Sequence, residues 1–298
     1  MSKPIETPED ILSITEAPNE ALERKWNALH GINRYKRLVL EYFLICMDKK
    51  RMESWCNKYY PNSEGLSELL ASELGFSGKV ILFGDAGTGK TCFAEGLADA
   101  MSKTVGKVYL IKVGLLRSKF VGLSSLKVIQ TFKYVKEKAR EAWVILFLDE
   151  FDSVAPNRNN HEMHEEVKAA VNKLLEEIEN VTPSDRVLVI AATNLYEQAV
   201  DYAADRRFDM VINFKRPSFL QRLDLLTILL KQFRIDTENL VLLAKKTRGY
   251  TPADIKKTIK HALTKCLISN RKLTAVDLLY SLRYVTPTRS YDEGKEFE

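Results

Sequence analysis

The sequence predicts an α/β domain built on a parallel sheet with helices on both faces, followed by a small all-helical domain. Three observations predict it. From residue 78 to residue 216, short β-branched runs alternate with stretches of helical periodicity. A glycine-rich loop joins the first of these runs to the first of these helices. After Pro217 the strand pattern stops, and apolar residues recur only at helical spacing.

The elements follow in order. Residues 1–22 carry five acids (Glu6, Glu9, Asp10, Glu16, Glu20) against one base, Lys3, with Pro4, Pro8 and Pro18 among them. They read as an acidic tail or docking segment. Residues 23–75 read as helical, with Leu38, Tyr42 and Ile45 on one face and a loop from Asn57 to Ser63. Strands are expected at 79–83, 107–113, 143–148, 187–192 and 210–214. Helices are expected at about 89–103, 125–141, 165–179 and 198–204. The helical domain spans 217–286, with helices at 218–233, 237–247, 252–268 and 274–284. Ile255, Ile259, Ala262, Leu263 and Cys266 form one apolar stripe there, read as core packing. The large domain is thus 23–216, and 287–298 is a second acidic tail.

Composition narrows the function. The chain has 298 residues, with 45 basic and 40 acidic side chains and a formal net charge of +5. That balance does not argue for nucleic acid. The four cysteines (Cys46, Cys56, Cys92, Cys266) show no C-x-x-C spacing and read as reduced thiols of a cytoplasmic protein. The start of the chain has no apolar leader pattern. The longest apolar stretch, Leu38 to Met47, is broken by Glu41 and is too short to cross a bilayer. No membrane association is expected.

Gly84-Asp85-Ala86-Gly87-Thr88-Gly89-Lys90-Thr91 fits the phosphate-loop pattern G-x-x-x-x-G-K-[ST]. The apolar run Val80–Phe83 precedes it, and Cys92–Leu97 continues as helix. This strand–loop–helix context suits a P-loop NTPase. Glycines let the backbone of Gly84, Ala86, Gly87, Thr88 and Gly89 curl its N–H groups toward phosphate oxygens. Lys90 adds a charge for the β- and γ-phosphates and Thr91 offers a hydroxyl to Mg²⁺; Cys92, the next residue, is counted with the nucleotide-binding set. A second strand, Val144–Leu148, ends in Asp149 and Glu150. Two acids at the carboxyl end of a buried strand suggest a cation and a reaction, because a buried carboxylate needs a partner. Asp149 is read as a ligand in the Mg²⁺ shell and Glu150 as the group that polarises the attacking water. A third strand, Val187–Thr193, ends in Asn194, which either orients that water or caps a turn.

These motifs stand in the order found in the AAA clade of ring-forming ATPases, which the chain resembles from about Trp26 to about Pro287. The resemblance rests on the phosphate loop, Asp149–Pro156, Ala192-Thr193-Asn194 and Arg206-Arg207-Phe208-Asp209. It implies ATP and Mg²⁺ as cofactors, a homohexamer, and a protein substrate drawn through a central pore. It implies that Trp26–Gly31, with Leu29, lies along adenine, and that Gly249–Asp254, with Ala253, packs near ribose and adenine. It implies an arginine finger acting on a neighbour's nucleotide at Arg207, with Arg206 matching an adjacent arginine; the choice between the two stays open. Ser118–Gly122 is similar to the first pore loop, with Lys119, Phe120 and Val121 as the gripping residues; an ordinary core role for Phe120 stays open. Arg158–Glu165 would be a second pore loop, and His161 and His164 within it read as surface residues rather than metal ligands.

The chain departs from the pattern at several points. Asp85-Ala86 replaces a pair of prolines, Leu123 a glutamate, and Met210 a second arginine, and the Pro-Gly before the finger is missing. The compact build and Asp205-Arg206 resemble the pachytene-checkpoint type remodellers of HORMA proteins; microtubule-severing and membrane-scission relatives stay open. The expectation is an ATP-driven remodeller of a protein partner, a HORMA-type partner among the candidates. A DNA-associated loader on the same fold is the alternative.

Overall fold

The computed structural model describes residues 12–63, 65–71, 75–113, 125–151, 165–194 and 206–289. The expected helix at 198–204 and both expected pore loops, with Lys119, Phe120 and Val121, lie outside the described residues. The chain divides into two units: Met1–Asn27, Arg34–Phe83 and Thr91–Ile212 form the first, and Ala28–Asn33, Gly84–Lys90 and Asn213–Glu298 the second. The division differs from the single cut near 216 read from sequence. Two short segments, 28–33 and 84–90, group with the carboxyl-terminal helices.

The first unit is organised by a sheet of six strands: β1 (Leu12–Ala17), β2 (Lys79–Phe83), β3 (Val108–Val113), β4 (Trp143–Leu148), β5 (Val187–Thr193) and β6 (Met210–Asn213). Their order is β1-β3-β4-β5-β2-β6. β3, β4, β5 and β2 pair in parallel. Every residue of β5 is buried. Such near-continuous apolar runs are what a parallel strand covered on both faces requires. Alternate residues serve opposite faces. Ile111, Val144, Leu146, Val187 and Val189 share one core with Val128, Phe132 and Val135 of α6 (Ser125–Ala139) and with Leu174, Leu175 and Ile178 of α7 (Glu165–Asn180). The intervening Leu110, Ile145, Phe147, Leu188 and Ile190 are buried as well, as are Phe93, Leu97 and Met101 of α5 (Lys90–Val105).

Two sequence expectations are corrected here. The segment read as an acidic tail is structured from Leu12 onward. β1 pairs antiparallel with β3, from Leu12 opposite Val113 to Ala17 opposite Val108, so the sheet is mixed at this edge. Its acids are used: Glu16 lies 3.0 Å from Lys107. After it, Asn19 donates its N–H to Asp99 over 3.0 Å and α1 (Glu20–Asn27) begins. The alternation of Leu12-Ser13-Ile14-Thr15 is broken by Glu16, and the acidic composition hid the strand. The helical region 23–75 is α1, α2 (Asn33–Met47), α3 (Lys49–Tyr59) and α4 (Leu66–Ala71), so α3 runs into the expected loop. In α2 the buried residues are Val39, Tyr42, Phe43 and Cys46, whereas Leu38 and Ile45 are exposed. The face is set by Tyr42, whose hydroxyl donates to the Asp209 carboxylate and accepts from the Gly78 N–H.

The second unit carries α8 (Phe219–Leu230), α9 (Thr237–Lys246), α10 (Pro252–Ile268) and α11 (Ala275–Ser281). Each starts at a capping residue: Ser218, Asp236, Thr251 and Thr274 accept from backbone N–H groups three residues on. In α8, α10 and α11 the third helical residue returns the bond, closing a capping box. Leu225, Leu226, Leu230, Leu240, Leu243, Ile255, Ile259 and Leu278 form its core. The stripe on α10 therefore packs as the sequence suggested, with Leu263 only partly buried.

Candidate nucleotide site

The parallel register brings three strand ends side by side. Phe83 of β2 lies opposite Thr193 of β5, and Leu148 of β4 opposite Ala191 of β5. The next residues along the chain are Gly84, Asn194 and Asp149. Ligands of such sheets bind beyond the carboxyl ends of the strands, and Asp149, Glu150 and Asn194 follow two of these ends.

In the first unit, Thr91 and Asp149 come together. The Thr91 hydroxyl lies 3.2 Å from Asp149 Oδ2. One hydroxyl and one carboxylate at this spacing are the hard oxygen donors that Mg²⁺ takes, with water and phosphate completing its shell. The residues present therefore fit the ion. Asp149 Oδ1 accepts from the Glu150 N–H over 3.1 Å. Glu150 is exposed and has φ of 54°, a left-handed value for a non-glycine residue. Backbone of this kind concentrates at functional sites. Asn194 is exposed at the end of β5.

Sequence reading missed a further charge here. Lys112 of β3 is the register partner of Phe147 of β4, so the two side chains share a face with Asp149, two residues on. The Lys112 ammonium lies 2.8 Å from Asp149 Oδ2, 3.7 Å from Glu95 Oε1 and 5.3 Å from the centre of the Phe147 ring. Glu95 pairs in turn with Lys25 of α1 at 2.5 Å. The available signal was a lysine inside the otherwise apolar run Val108-Tyr109-Leu110-Ile111-Lys112-Val113.

The loop itself belongs to the second unit. Lys90 is buried, and its ammonium donates to the carbonyls of Gly84 over 2.6 Å and Asp85 over 3.0 Å. It is thereby folded back into the ring of backbone it would share with phosphate oxygens. Thr88 is buried and donates its hydroxyl to the Asp85 carbonyl over 2.8 Å. Ala86 and Gly87 are exposed. Gly84, Gly87 and Gly89 all have φ in the left-handed range. A Cβ at Gly87 would lie 2.8 Å from the Ala253 Cβ, and the Ala253 N–H donates to the Gly87 carbonyl over 3.3 Å. A Cβ at Gly89 would lie 3.1 Å from Leu29. Leu29, Ala253 and the loop, expected together on resemblance, are thus neighbours. A cavity of about 240 Å³ is lined by His30, Gly31, Asn33, Asp224, Thr227 and Ile228. The last three were not legible in sequence, because α8 reads there as ordinary amphipathic helix.

Asp85, one of the departures noted above, has a partner. Arg216 donates Nε to Asp85 Oδ2 over 2.5 Å, Nη1 to the Gly249 carbonyl over 2.5 Å and Nη2 to the Thr288 carbonyl over 2.6 Å. The acid in the loop is neutralised by an arginine anchored on the helical region.

The two candidate finger residues differ. Arg206 is exposed. Arg207 is half-buried, and its Nε lies 3.0 Å from the Glu179 carboxylate of its own chain. Phe208 packs edge-on against Phe151, and Asp209 accepts from the Ser77 N–H and hydroxyl, both over 2.7 Å. Among the described residues there is no cluster of three or more potential metal ligands from His, Cys, Asp and Glu, and no helix long and apolar enough to cross a membrane.

The chain is 32% identical over 221 residues to a proteasome-activating nucleotidase of Saccharolobus solfataricus, a match covering 72% of this chain and 54% of that protein. It thus spans little more than half the length of that relative. Among solved structures it is similar to a chain of the HORMA:CdnC:Trip13 complex of E. coli MS115-1, with a TM-score of 0.81 at 22% identity, covering 95% of this chain and 98% of that one. It is also similar to the FIGL-1 AAA domain in complex with ADP, with a TM-score of 0.68 at 20% identity, covering 98% of this chain and 92% of that one. These structural likenesses establish the fold. Residues 80–216, from the second residue of β2 to the arginine that holds Asp85, match the ATPase family associated with various cellular activities, so the chain carries an AAA ATPase domain.

Proposed function

We propose that this chain hydrolyses ATP and uses the energy to remodel a protein partner, as one subunit of a homohexameric ring. The observation that carries the catalytic half is the pairing of the Thr91 hydroxyl with Asp149 at the end of β4, with Glu150 next in the chain. Thr91 and Asp149 would hold Mg²⁺, which when bound supplies positive charge to the phosphates. Lys90 and the backbone N–H groups of Gly87, Gly89 and Lys90 orient the phosphates. Glu150 accepts a proton from the attacking water, and Asn194 positions that water by hydrogen bonding. The cavity beside His30 and Gly31 suits the base. An arginine from a neighbouring subunit adds charge where it develops in the transition state.

The remodelling half rests on likeness. A relative is named for activating a proteasome, and a structural neighbour comes from a complex with a HORMA protein. A HORMA-type partner is therefore the first candidate substrate. Phe120, on the segment similar to a pore loop, would grip it.

The test is a Glu150→Gln variant. It should bind ATP with wild-type affinity and hydrolyse it on the order of 10²-fold more slowly. Incubated with ATP, it should retain a protein substrate that the wild type releases. Turnover at the wild-type rate would overturn the assignment of Glu150. Phe120→Ala should keep basal ATPase activity and lose remodelling of the retained protein. Unchanged remodelling would remove the pore-loop role.

A further inference from the structure

We propose that Lys112 is a built-in counter-ion for Asp149 that keeps the metal position from loading before nucleotide arrives. The inference rests on the reading of Thr91 and Asp149 as metal ligands and adds a residue that the motif reading does not contain. Lys112 is placed by register rather than by chance. It projects from β3 on the face of the sheet that carries Asp149, and its stem passes Phe147. Its ammonium sits at 2.8 Å from the same oxygen, Oδ2, that lies 3.2 Å from the Thr91 hydroxyl. A divalent cation taking both donors would occupy the space in which this ammonium makes its ion pair. The pair is largely shielded, the two side chains being 28% and 21% exposed, so water screens it only partly.

The structure also supplies an alternative partner for Lys112. Glu95 lies 3.7 Å from the same ammonium. Lys25 holds Glu95 at 2.5 Å from the other side. Lys112 can therefore give up Asp149 for Glu95 by a small swing without becoming unpaired. Before nucleotide binds, the Asp149 carboxylate is already neutralised, and a bare cation has to displace an ammonium to reach it. A cation that arrives on the phosphates brings further attraction from the loop and displaces Lys112 toward Glu95. The metal site is in this way conditional on the nucleotide.

The test measures metal alone. Mn²⁺ binding to the full chain, without nucleotide, is followed by the loss of its free electron paramagnetic resonance signal. Lys112→Met, which keeps the stem over Phe147, should bind Mn²⁺ about ten-fold more tightly than wild type or better. Lys112→Arg should restore the weak wild-type binding. Glu95→Gln, which removes the alternative partner, should bind more weakly still, and it keeps the proposal testable should Lys112→Met fail to fold. Equal Mn²⁺ affinity in wild type and Lys112→Met would overturn the proposal, as would tight binding by Lys112→Arg. No nucleotide is present, so this failure is distinct from failure of the ATPase reading, which Glu150→Gln turnover reports.

Discussion

Gly84 shows how tightly the chemistry constrains single positions. Its φ is 138°, and a Cβ built there would lie 2.4 Å from the Phe214 carbonyl oxygen. That neighbour is backbone and cannot swing aside. Gly84→Ala should therefore destabilise the protein by about 2 kcal/mol or more, read as a lowered urea midpoint, because strain and clash add. A midpoint within error of wild type would mean that the loop and the segment after β6 separate easily. Lys90 sits at the other end of the same loop. Its ammonium is held by two loop carbonyls, so its role is local to the loop rather than to the core. Lys90→Ala should leave the thermal midpoint nearly unchanged and lose most ATP affinity in calorimetry. Retained affinity would remove the lysine from the phosphate site. Both residues were visible in sequence, because the phosphate loop is a local pattern of eight residues whose function needs each residue at its place.

Elements were legible where one periodicity ruled them, and less so where a contact distant in sequence decided. The four inner strands are largely buried and read as apolar runs, interrupted in β3 by Lys112. The carboxyl-terminal helices carry their own start signals in Ser218, Asp236, Thr251 and Thr274. β1 was hidden because Glu16 breaks its alternation at the sheet edge, and α2 was rotated because its buried face is chosen by Tyr42 reaching Asp209. Lys112 and Arg216 were missed for the same reason: their partners, Asp149 and Asp85, are distant along the chain. Asp254 gives a prediction at this scale. It closes the capping box of α10 through Thr251 and also accepts from the N–H and hydroxyl of Thr288, over 3.0 and 2.8 Å. Burial alone would raise its pKa; the hydrogen bonds from Thr288 and Thr251 outweigh it and hold the carboxyl below its ordinary value. A depressed folded-state pKa contributes stability above the unfolded value, near ~4, that is lost as pH falls through the folded one. Asp254→Asn should be less stable than wild type at pH 7 by about 1–3 kcal/mol. The gap should narrow in chemical denaturation as pH falls below ~4, where the unfolded carboxyl takes up a proton that the folded one still resists. A gap independent of pH would assign the loss to shape rather than charge.

At the scale of the whole molecule, the ring proposed above turns on what a subunit would offer its neighbour. The segment Arg206–Asp209 is anchored firmly: Tyr42 and Ser77 hold Asp209, Phe151 packs on Phe208, and Glu179 holds Arg207. A finger has to be presented on a rigid base, since misplacement by an ångström weakens catalysis strongly. Arg206 is exposed beside that base, and Arg207 is half-buried with Glu179 against its Nε. The resemblance put the finger at Arg207, with Arg206 open beside it; on the difference in exposure we propose Arg206 for the trans contact and Arg207 for the anchoring of the segment. Arg206→Ala should fold, bind ATP and lose ATPase activity by on the order of 10³-fold or more, the range that a missing arginine finger produces. Arg207→Ala should lose thermal stability along with activity. Mixing Arg206→Ala with Lys90→Ala supplies the decisive comparison. The first subunit binds ATP but lacks the arginine; the second keeps the arginine but binds no ATP. If the residue acts across an interface, the mixture should turn over ATP faster than either variant alone, and the gain should grow with protein concentration as rings assemble. A mixture no faster than its parts would place the arginine in its own subunit. Full activity of Arg206→Ala together with an inactive, well-folded Arg207→Ala would exchange the two roles. Full activity of both single variants would remove the ring from the mechanism.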